Sequence, residues 1–482
     1  MLAPSDISLA QTARLDAPSI TAQTLPPLLH RDVACIFQRS PEKLFELVQR
    51  FGSPLHLVWP HVLRENIEGL RAVLRKHDLH FEMFYGAKAN KSQALLQAAV
   101  EASVGVDVSS IYELGAALRA GVDGCAICAT GPAKTRVFHA ALIGAGSLIA
   151  IDSREEFDDL EALARETRAD SPTRVLLRYR PHASRTSRFG MTVDDLLACL
   201  HRLAISRDLF RFEGFHFHLP GYSHQSRVDA IAELMPLVQA ARALNLPLRL
   251  LDIGGGLPVR YVESARFDAF ARAQRPSDYR NGIVPSRFYP YGGRIGAADW
   301  LEQLLTSPLM PGLSVEQYLN RQQLTLALEP GRSLADQAAL SLFRITRVKS
   351  LADDTFVVFA EGSSFSACET WFASEFLVDP ILVSCSHGER PGIVPSASPV
   401  RAYIAGHSCL DEDVITNRLI HFQSKPQTGD LLVYANTAGY QMDLLENEFH
   451  RHPMPKRISA RWDDEGRIET FPDQTQGVPE WS

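Results

Sequence analysis

The residues best able to do chemistry sit in short motifs spread along the chain. These are Gly86-Ala87-Lys88-Ala89-Asn90, His216-Phe217-His218, Asp252-Ile253-Gly254-Gly255-Gly256, Glu329-Pro330-Gly331-Arg332 and Gly406-His407-Ser408-Cys409. A lysine that follows an apolar strand can form a Schiff base with an aldehyde. Successive glycines let backbone N–H groups reach a phosphate with no Cβ in the way, and a nearby arginine can grip its oxygens with two bonds. A carboxylate can keep a ring nitrogen protonated, and a positioned thiol can hand over a proton. Each motif alone has a bland alternative: a solvated lysine, a tight turn, a buried Glu329–Arg332 pair, an inert cysteine. The weight lies in the set and its order.

His216 and His218 alternate on a strand, so both side chains point to one side. Such a pair also suits a metal-dependent hydrolase, which needs further His or Asp ligands at later strand ends. Those ends carry glycines and Glu-Pro-Gly-Arg instead, so no metal is expected.

The elements that must position these groups alternate. Strand-like runs such as PLHLVW, FEMFYGAKA, VGVDVS, GCAICAT, LIAIDS, RVLLRYRP, EGFHFHLPG, LRLLDIGGG and LTLALEPG are separated by amphipathic helical stretches. This pattern predicts a parallel sheet closed into a (β/α)8 barrel, with Lys88 at the end of a strand, where barrel sites are built. Asp107 lies on the next strand; capping the following helix is its other possible use. After about Leu334 the texture turns β-rich, as in LSLFRITRVKSL, TFVVFAEG and GDLLVYAN. The aromatic, Gly- and Pro-rich stretch 258–323 exceeds an ordinary barrel connection and reads as a surface elaboration or a substrate-facing lid.

With these motifs in this order, the chain resembles the fold-type III amino-acid decarboxylases, the group of diaminopimelate, ornithine and arginine decarboxylases, from about Phe51 to about Pro455. The resemblance implies an alanine-racemase-like barrel over 51–333 carrying the 258–323 insertion. It implies a C-terminal β-sandwich or β-barrel-like domain over 334–482, joined by residues 30–50, with 1–29 as a poorly ordered leader. The implied cofactor is pyridoxal 5′-phosphate. Lys88 would hold it as an aldimine, and His218 would stack on its ring. Glu329 would face the ring nitrogen, with Asp107 near the lysine. Gly254, Gly255, Gly256, Gly331, Arg332 and Tyr440 would surround the phosphate. Cys409 would return a proton from the second subunit of a homodimer with shared sites. Arg178 and Arg188-Phe189-Gly190 match positions with basic residues near the site.

The implied reaction is decarboxylation of an amino acid through an external aldimine and a quinonoid. A carboxylate at Glu329, where alanine racemases place an arginine, favours decarboxylation over the alternative of racemization. Intact Lys88, Glu329, Arg332 and Cys409 argue against a second alternative, a non-catalytic regulatory homologue that binds the cofactor.

Two departures bear on substrate and phosphate. The family's Gly-Ser after the stacking histidine is replaced by Leu219-Pro220-Gly221-Tyr222-Ser223, leaving Tyr222 or Ser223 to make that contact. The acidic residue that follows the cysteine in the family is Leu410 here, leaving Asp411, Asp413 or a carboxylate from the long insertion to hold a substrate amine. A buried ammonium without a partner is costly. This loop, with Gly439-Tyr440-Gln441-Met442 and Phe449-His450, points toward siderophore-type and other specialised decarboxylases acting on diamino acids or acylated conjugates.

Composition excludes several classes. A net charge of -7 over 482 residues gives no reason to expect a nucleic-acid partner, and no apolar run is long enough to span a bilayer. Seven cysteines, an odd number in a long chain, fit a reducing cytoplasm better than a disulfide framework. Cys125-Ala-Ile-Cys128 reads as a pair of buried thiols.

Overall fold

A computed structural model describes residues 12–13, 23–167, 171–352, 354–364, 374–384, 399–443 and 453–473. Cys368, Cys385 and Phe449-His450 lie outside these residues. The chain forms two compact units, one built around Arg64–Leu257 and Ala297–Leu334, the other from the stretches up to Leu63, Pro258–Gly296 and Ala335 onward.

The first unit is a closed barrel of eight parallel strands: Phe81–Gly86, Gly105–Val108, Ile127–Ala129, Leu148–Ile151, Thr173–Arg178, Phe210–His216, Leu250–Asp252 and Thr325–Leu328. Closure comes from pairing the last strand with the first, Leu326 opposite Phe81. Helices alternate with the strands, and serine or threonine caps start several of them: Ser110, Thr135 and Thr192 each accept a backbone N–H from the first turn. Phe84, Cys128, Leu148, Ala150, Leu176, Leu250 and Ala327 fill the interior, so the barrel is a packed core and only its rim is available for chemistry.

The second unit is a nine-stranded sheet in which the twelve-residue strand Ala339–Ser350 is the spine. Its first half pairs with Leu431–Ala435 on one edge and Leu55–Val58 on the other; its second half pairs with Thr355–Ala360. Leu55–Val58, the core of PLHLVW, therefore belongs to this sheet and not to the barrel alternation that the sequence pattern suggests. Its fully buried pattern cannot distinguish the two locations, because both bury both faces of a strand.

Two apolar clusters cover the sheet. The helices Arg31–Arg39 and Glu42–Phe51 supply Val33, Ile36, Leu44 and Leu47 to one. The other takes Val259, Tyr261, Phe267, Phe270 and Tyr291 from the 258–296 stretch, with Tyr261 and Tyr291 stacked at 4.9 Å. That stretch is thus core material of the β-rich unit, whereas Ala297–Thr306 and Val315–Arg321 are helices of the barrel unit. Within the expected leader, Leu25, Leu28 and Leu29 are buried, while residues 1–11 and 14–22 lie outside the described residues. No described helix is long and apolar enough to cross a membrane.

Candidate active site

The strand Phe81–Gly86 ends in a single tight turn, Ala87–Ala89, that carries Lys88. Two short-range bonds fix the chain just beyond this turn: Asn90 Oδ1 accepts the Ser92 N–H, and Ser92 Oγ caps the helix Gln93–Glu101 by accepting from Leu95. The Lys88 ammonium donates to Asp107 Oδ2 at 2.5 Å, and Thr130 Oγ1 donates to Asp107 Oδ1 at 2.6 Å. Asp107 is therefore a lysine partner and not a helix cap; Ser110 caps the helix instead.

Glu329 follows the last barrel strand and is fully enclosed. His216 Nε2 lies 3.2 Å from its Oε1 and His218 Nδ1 lies 3.6 Å from its Oε2. Gly255 N–H donates to His218 Nδ1 at 3.2 Å, which makes that nitrogen an acceptor and leaves the proton on Nε2. Burial lowers the pKa of His218, so the ring is neutral. Burial pushes the Glu329 carboxyl up, but His216 and Lys88 outweigh it and hold it well below the usual carboxylate range.

Asp252 ends the neighbouring strand with Oδ1 taking the Gly254 N–H at 2.8 Å. Burial first, then the charge of Glu329, drives its pKa well above the ordinary value, so it stays protonated. Burial and the same charge also raise Asp107, against the pull of Lys88 and Thr130. Cys128, whose sulfur lies within 4.8 Å of oxygens of Asp252 and Glu329, is raised well above a free thiol by burial and by Glu329. The Glu329 anion thus faces the rim beside Asp252 and Cys128, whose ionisation it suppresses. Glu329 Oε1 is buried with His216 Nε2 3.2 Å away, but the two are not aligned as a hydrogen bond.

The glycine run threads between these groups. Gly254 and Gly256 adopt φ of +69° and +81°, a region other residues seldom occupy. A Cβ at Gly254 would fall 2.7 Å from His218 Nδ1, one at Gly255 2.6 Å from the Glu329 carbonyl oxygen, and one at Gly256 2.3 Å from Arg227 Nη2. Gly331 packs against the turn before Lys88, its Cα 3.6 Å from where a Gly86 Cβ would lie, and Arg332 is buried beside it in sequence.

Arg178 ends the strand Thr173–Arg178, but its guanidinium is engaged. It bonds Asp152 Oδ1 at 2.8 Å and lies over the Phe189 ring at 4.6 Å, while Asp152 Oδ2 takes the Gly190 N–H. The Arg-Phe-Gly motif thus closes a clamp around Asp152, a residue that no sequence motif singles out.

Cys409, Asp411, Asp413 and Tyr440 belong to the β-rich unit. Cys409 is an exposed free thiol. Asp413 is buried and accepts N–H groups from Ser364 at 2.6 Å and Ser408 at 2.9 Å, so its charge anchors the Cys409 loop. Asp411 is exposed and bonded through both its side chain and its carbonyl by Arg280, out of the 258–296 stretch. Tyr440 holds φ at +78°, strain of the kind stored at functional positions. In the other cysteine motif, Cys128 is buried as expected, but Cys125 is exposed, because it sits in the turn Gly124–Ala126 before its strand begins.

The chain is similar to known proteins over most of its length. The family described as pyridoxal-dependent decarboxylase, pyridoxal binding domain, matches residues 64–278. An uncharacterized protein of Sinorhizobium fredii is 53% identical over 450 residues, 93% of this chain and 96% of its own length. A diaminopimelate decarboxylase of Archaeoglobus fulgidus is 23% identical, covering 91% of this chain and 96% of its own. Among solved structures, diaminopimelate decarboxylase from Helicobacter pylori complexed with L-lysine superposes with a TM-score of 0.66 at 16% identity, covering 88% of this chain and 95% of that one. The Paramecium bursaria Chlorella virus arginine decarboxylase also gives 0.66 at 16% identity, over 87% and 99%.

Proposed function

The chain belongs to the fold-type III pyridoxal-dependent decarboxylases, and from that premise we propose that it removes the α-carboxyl group, as CO2, from an amino acid bearing a second nitrogen, free or acylated. The observation that carries this reading is the meeting, on one barrel rim, of the Lys88 amine, the buried Glu329 anion and the glycine run. The fit to the cofactor rests on this chain's own atoms: an amine, a buried carboxylate held charged, and a glycine turn too tightly packed for any Cβ, with Arg332 buried nearby in sequence. Pyridoxal 5′-phosphate, when bound, supplies an aldehyde for an amine and an electron sink for the bond that breaks.

Each residue then has a task. Lys88 offers its Nζ to the aldehyde, and Asp107, 2.5 Å away, is placed to take up or return its proton. Glu329 keeps a proton on the ring nitrogen, which is what makes the sink strong enough for decarboxylation. His218, neutral and fixed by Gly255, presents its ring for stacking. Gly256, Gly331 and Arg332 would receive the phosphate, with Tyr440 as a further contact, whereas Gly254 and Gly255 spend their N–H groups on Asp252 and His218 and shape the turn. Cys409, from the second chain of a homodimer, returns a proton to Cα. The reducing cytoplasm that keeps such a thiol free is part of the same proposal.

The state of the Cys409 loop bears on substrate. Leu410 is exposed, Asp413 is consumed by backbone N–H groups and Asp411 is paired with Arg280. Asp411 and Asp413 are thus both engaged, which favours substrates whose second nitrogen is acylated and the specialised branch of the family; the exposed Glu412 is the loop's remaining carboxylate. Diaminopimelate, the substrate in the names of several relatives, is the comparison to beat. The test is CO2 release by the cofactor-loaded protein across L- and D-diamino acids, diaminopimelate and acylated conjugates. Release from one class, abolished in Lys88→Ala, supports the proposal; no release beside a spectrally confirmed cofactor–lysine bond would sink it and favour racemization.

A further inference from the structure

Arg227 lies in the helix His224–Ala243 and is fully buried. Its guanidinium donates to five backbone carbonyls: Leu219 at 2.6 Å, Gly221 at 3.0 Å, Ser223 at 3.1 Å, Gly255 at 3.3 Å and Pro220 at 3.4 Å. These carbonyls belong to the two segments that matter for phosphate, the stretch replacing the family's Gly-Ser and the glycine run. Trp300 packs against the same place, its ring centroid 5.8 Å from the guanidinium carbon and its Nε1 donating to the Tyr222 carbonyl at 2.6 Å. Gly256 lies so close that a Cβ there would meet Nη2 at 2.3 Å.

Among the described residues no carboxylate pairs with this cation. Burial alone shifts it, lowering its pKa to about 10, with no neighbouring charge acting on it. A buried guanidinium without a counter-ion is expensive, and neutral carbonyls compensate only part of the loss of water. Carbonyl and N–H point in opposite directions across a trans peptide. Carbonyls of Pro220, Gly221 and Gly255 turned onto Arg227 therefore turn the N–H groups of Gly221, Tyr222 and Gly256 away from it. A cation behind a set of outward N–H groups is the arrangement that favours an anion in front.

We propose that Arg227 is a positioning residue of the phosphate site: it orients the peptides of the 219–223 segment and the glycine run, and it supplies the charge that a phosphate dianion balances. It takes over the task that a serine after His218 would perform. The inference rests on the cofactor reading above and concerns the phosphate end of that ligand alone.

The test compares pyridoxal 5′-phosphate with pyridoxal, which lacks the phosphate, by direct titration of apoprotein and absorbance of the lysine adduct. Arg227→Gln should weaken the phosphorylated ligand by about tenfold or more while changing pyridoxal affinity by less than about threefold, with Arg227→Lys between. Equal losses for both ligands, or an unchanged affinity for the phosphorylated one, would overturn the proposal. Should the variants fail to fold, inorganic phosphate on the wild-type apoprotein decides: it should raise the melting temperature where chloride at equal ionic strength does not, and no such rise rejects the idea. A wild type that bound neither aldehyde would sink the cofactor reading. Phosphate protection seen in the wild type and lost in Arg227→Gln would still support the role of Arg227.

Discussion

Glu329 is the residue on which the proposed reaction turns, and its surroundings explain why it stays charged while buried. His216 and Lys88 meet its charge, whereas Asp252 and Asp107, equally buried, are pushed toward neutrality partly by Glu329 itself. Two adjacent buried anions would repel, so ionising one suppresses the others. Glu329→Gln keeps the shape and removes the charge. A hydrogen bond to a charged group is worth about 1.5–3 kcal/mol, so kcat should fall by about tenfold to a hundredfold. Cofactor binding should survive, since the lysine and phosphate contacts are untouched. Steady-state kinetics beside the absorbance of the lysine adduct checks this; an unchanged kcat would remove Glu329 from the chemistry.

The elements carry a second lesson, visible at the strand Leu55–Val58. His56 within it is buried, bonded through Nδ1 to Ser341 Oγ at 2.8 Å, which in turn meets Thr437 Oγ1 at 2.7 Å. Burial, helped by Arg457, lowers its pKa to about 3 from 6.5. Below pH 6.5 the unfolded chain takes up a proton that the folded chain refuses, so this stabilisation is present above that pH and is lost as pH falls toward about 3. His56→Asn preserves a polar partner for Ser341 without titrating. Between pH 7.5 and pH 5 the wild type should lose about 2 kcal/mol more than the variant, read from urea midpoints. Equal losses would mean that His56 is not the group refusing the proton. The same strand shows what local pattern can and cannot say. The run Phe81–Gly86 with Lys88 beyond it is legible because strand, turn and helix cap follow one another within a dozen residues. The partners of Leu55–Val58, at Ala339–Leu342, are nearly three hundred residues away, and no periodicity encodes them. The Pro258–Gly296 stretch is likewise unreadable: it looks like loop because its apolar residues serve a remote sheet. Arg227 is hidden for a related reason, since an arginine in the first turn of a helix looks solvated until the carbonyls of two other segments converge on it.

At the scale of the whole molecule, the proposed chemistry is divided between two compact units of one chain. Lys88, Glu329 and the glycine run belong to the barrel unit, and Cys409 with Tyr440 belongs to the sheet unit. The Cys409 loop is built to hold a thiol outward: Asp413 ties Ser408 within it to Ser364 of another segment, and Arg280 secures Asp411, leaving Cys409 exposed. If the thiol serves the barrel of a second copy, two differently disabled chains should repair one another. Lys88→Ala cannot hold the cofactor and Cys409→Ser cannot return the proton at the normal rate. Random reassortment of equal amounts puts half of all dimers in the mixed state, each with one site drawing its lysine from one chain and its cysteine from the other, intact. Since an isologous two-fold dimer has two such sites, the mixture should recover about a quarter of wild-type activity. Co-expression with two different tags allows the mixed dimer to be purified and assayed alone, where about half is expected for the same reason. Recovery at that level requires both a dimer and a site completed across it. If the mixed species forms but stays inactive, lysine and cysteine act within one chain. If it never forms, Cys409 has no second barrel to serve, and the proton must come from a group of the same chain.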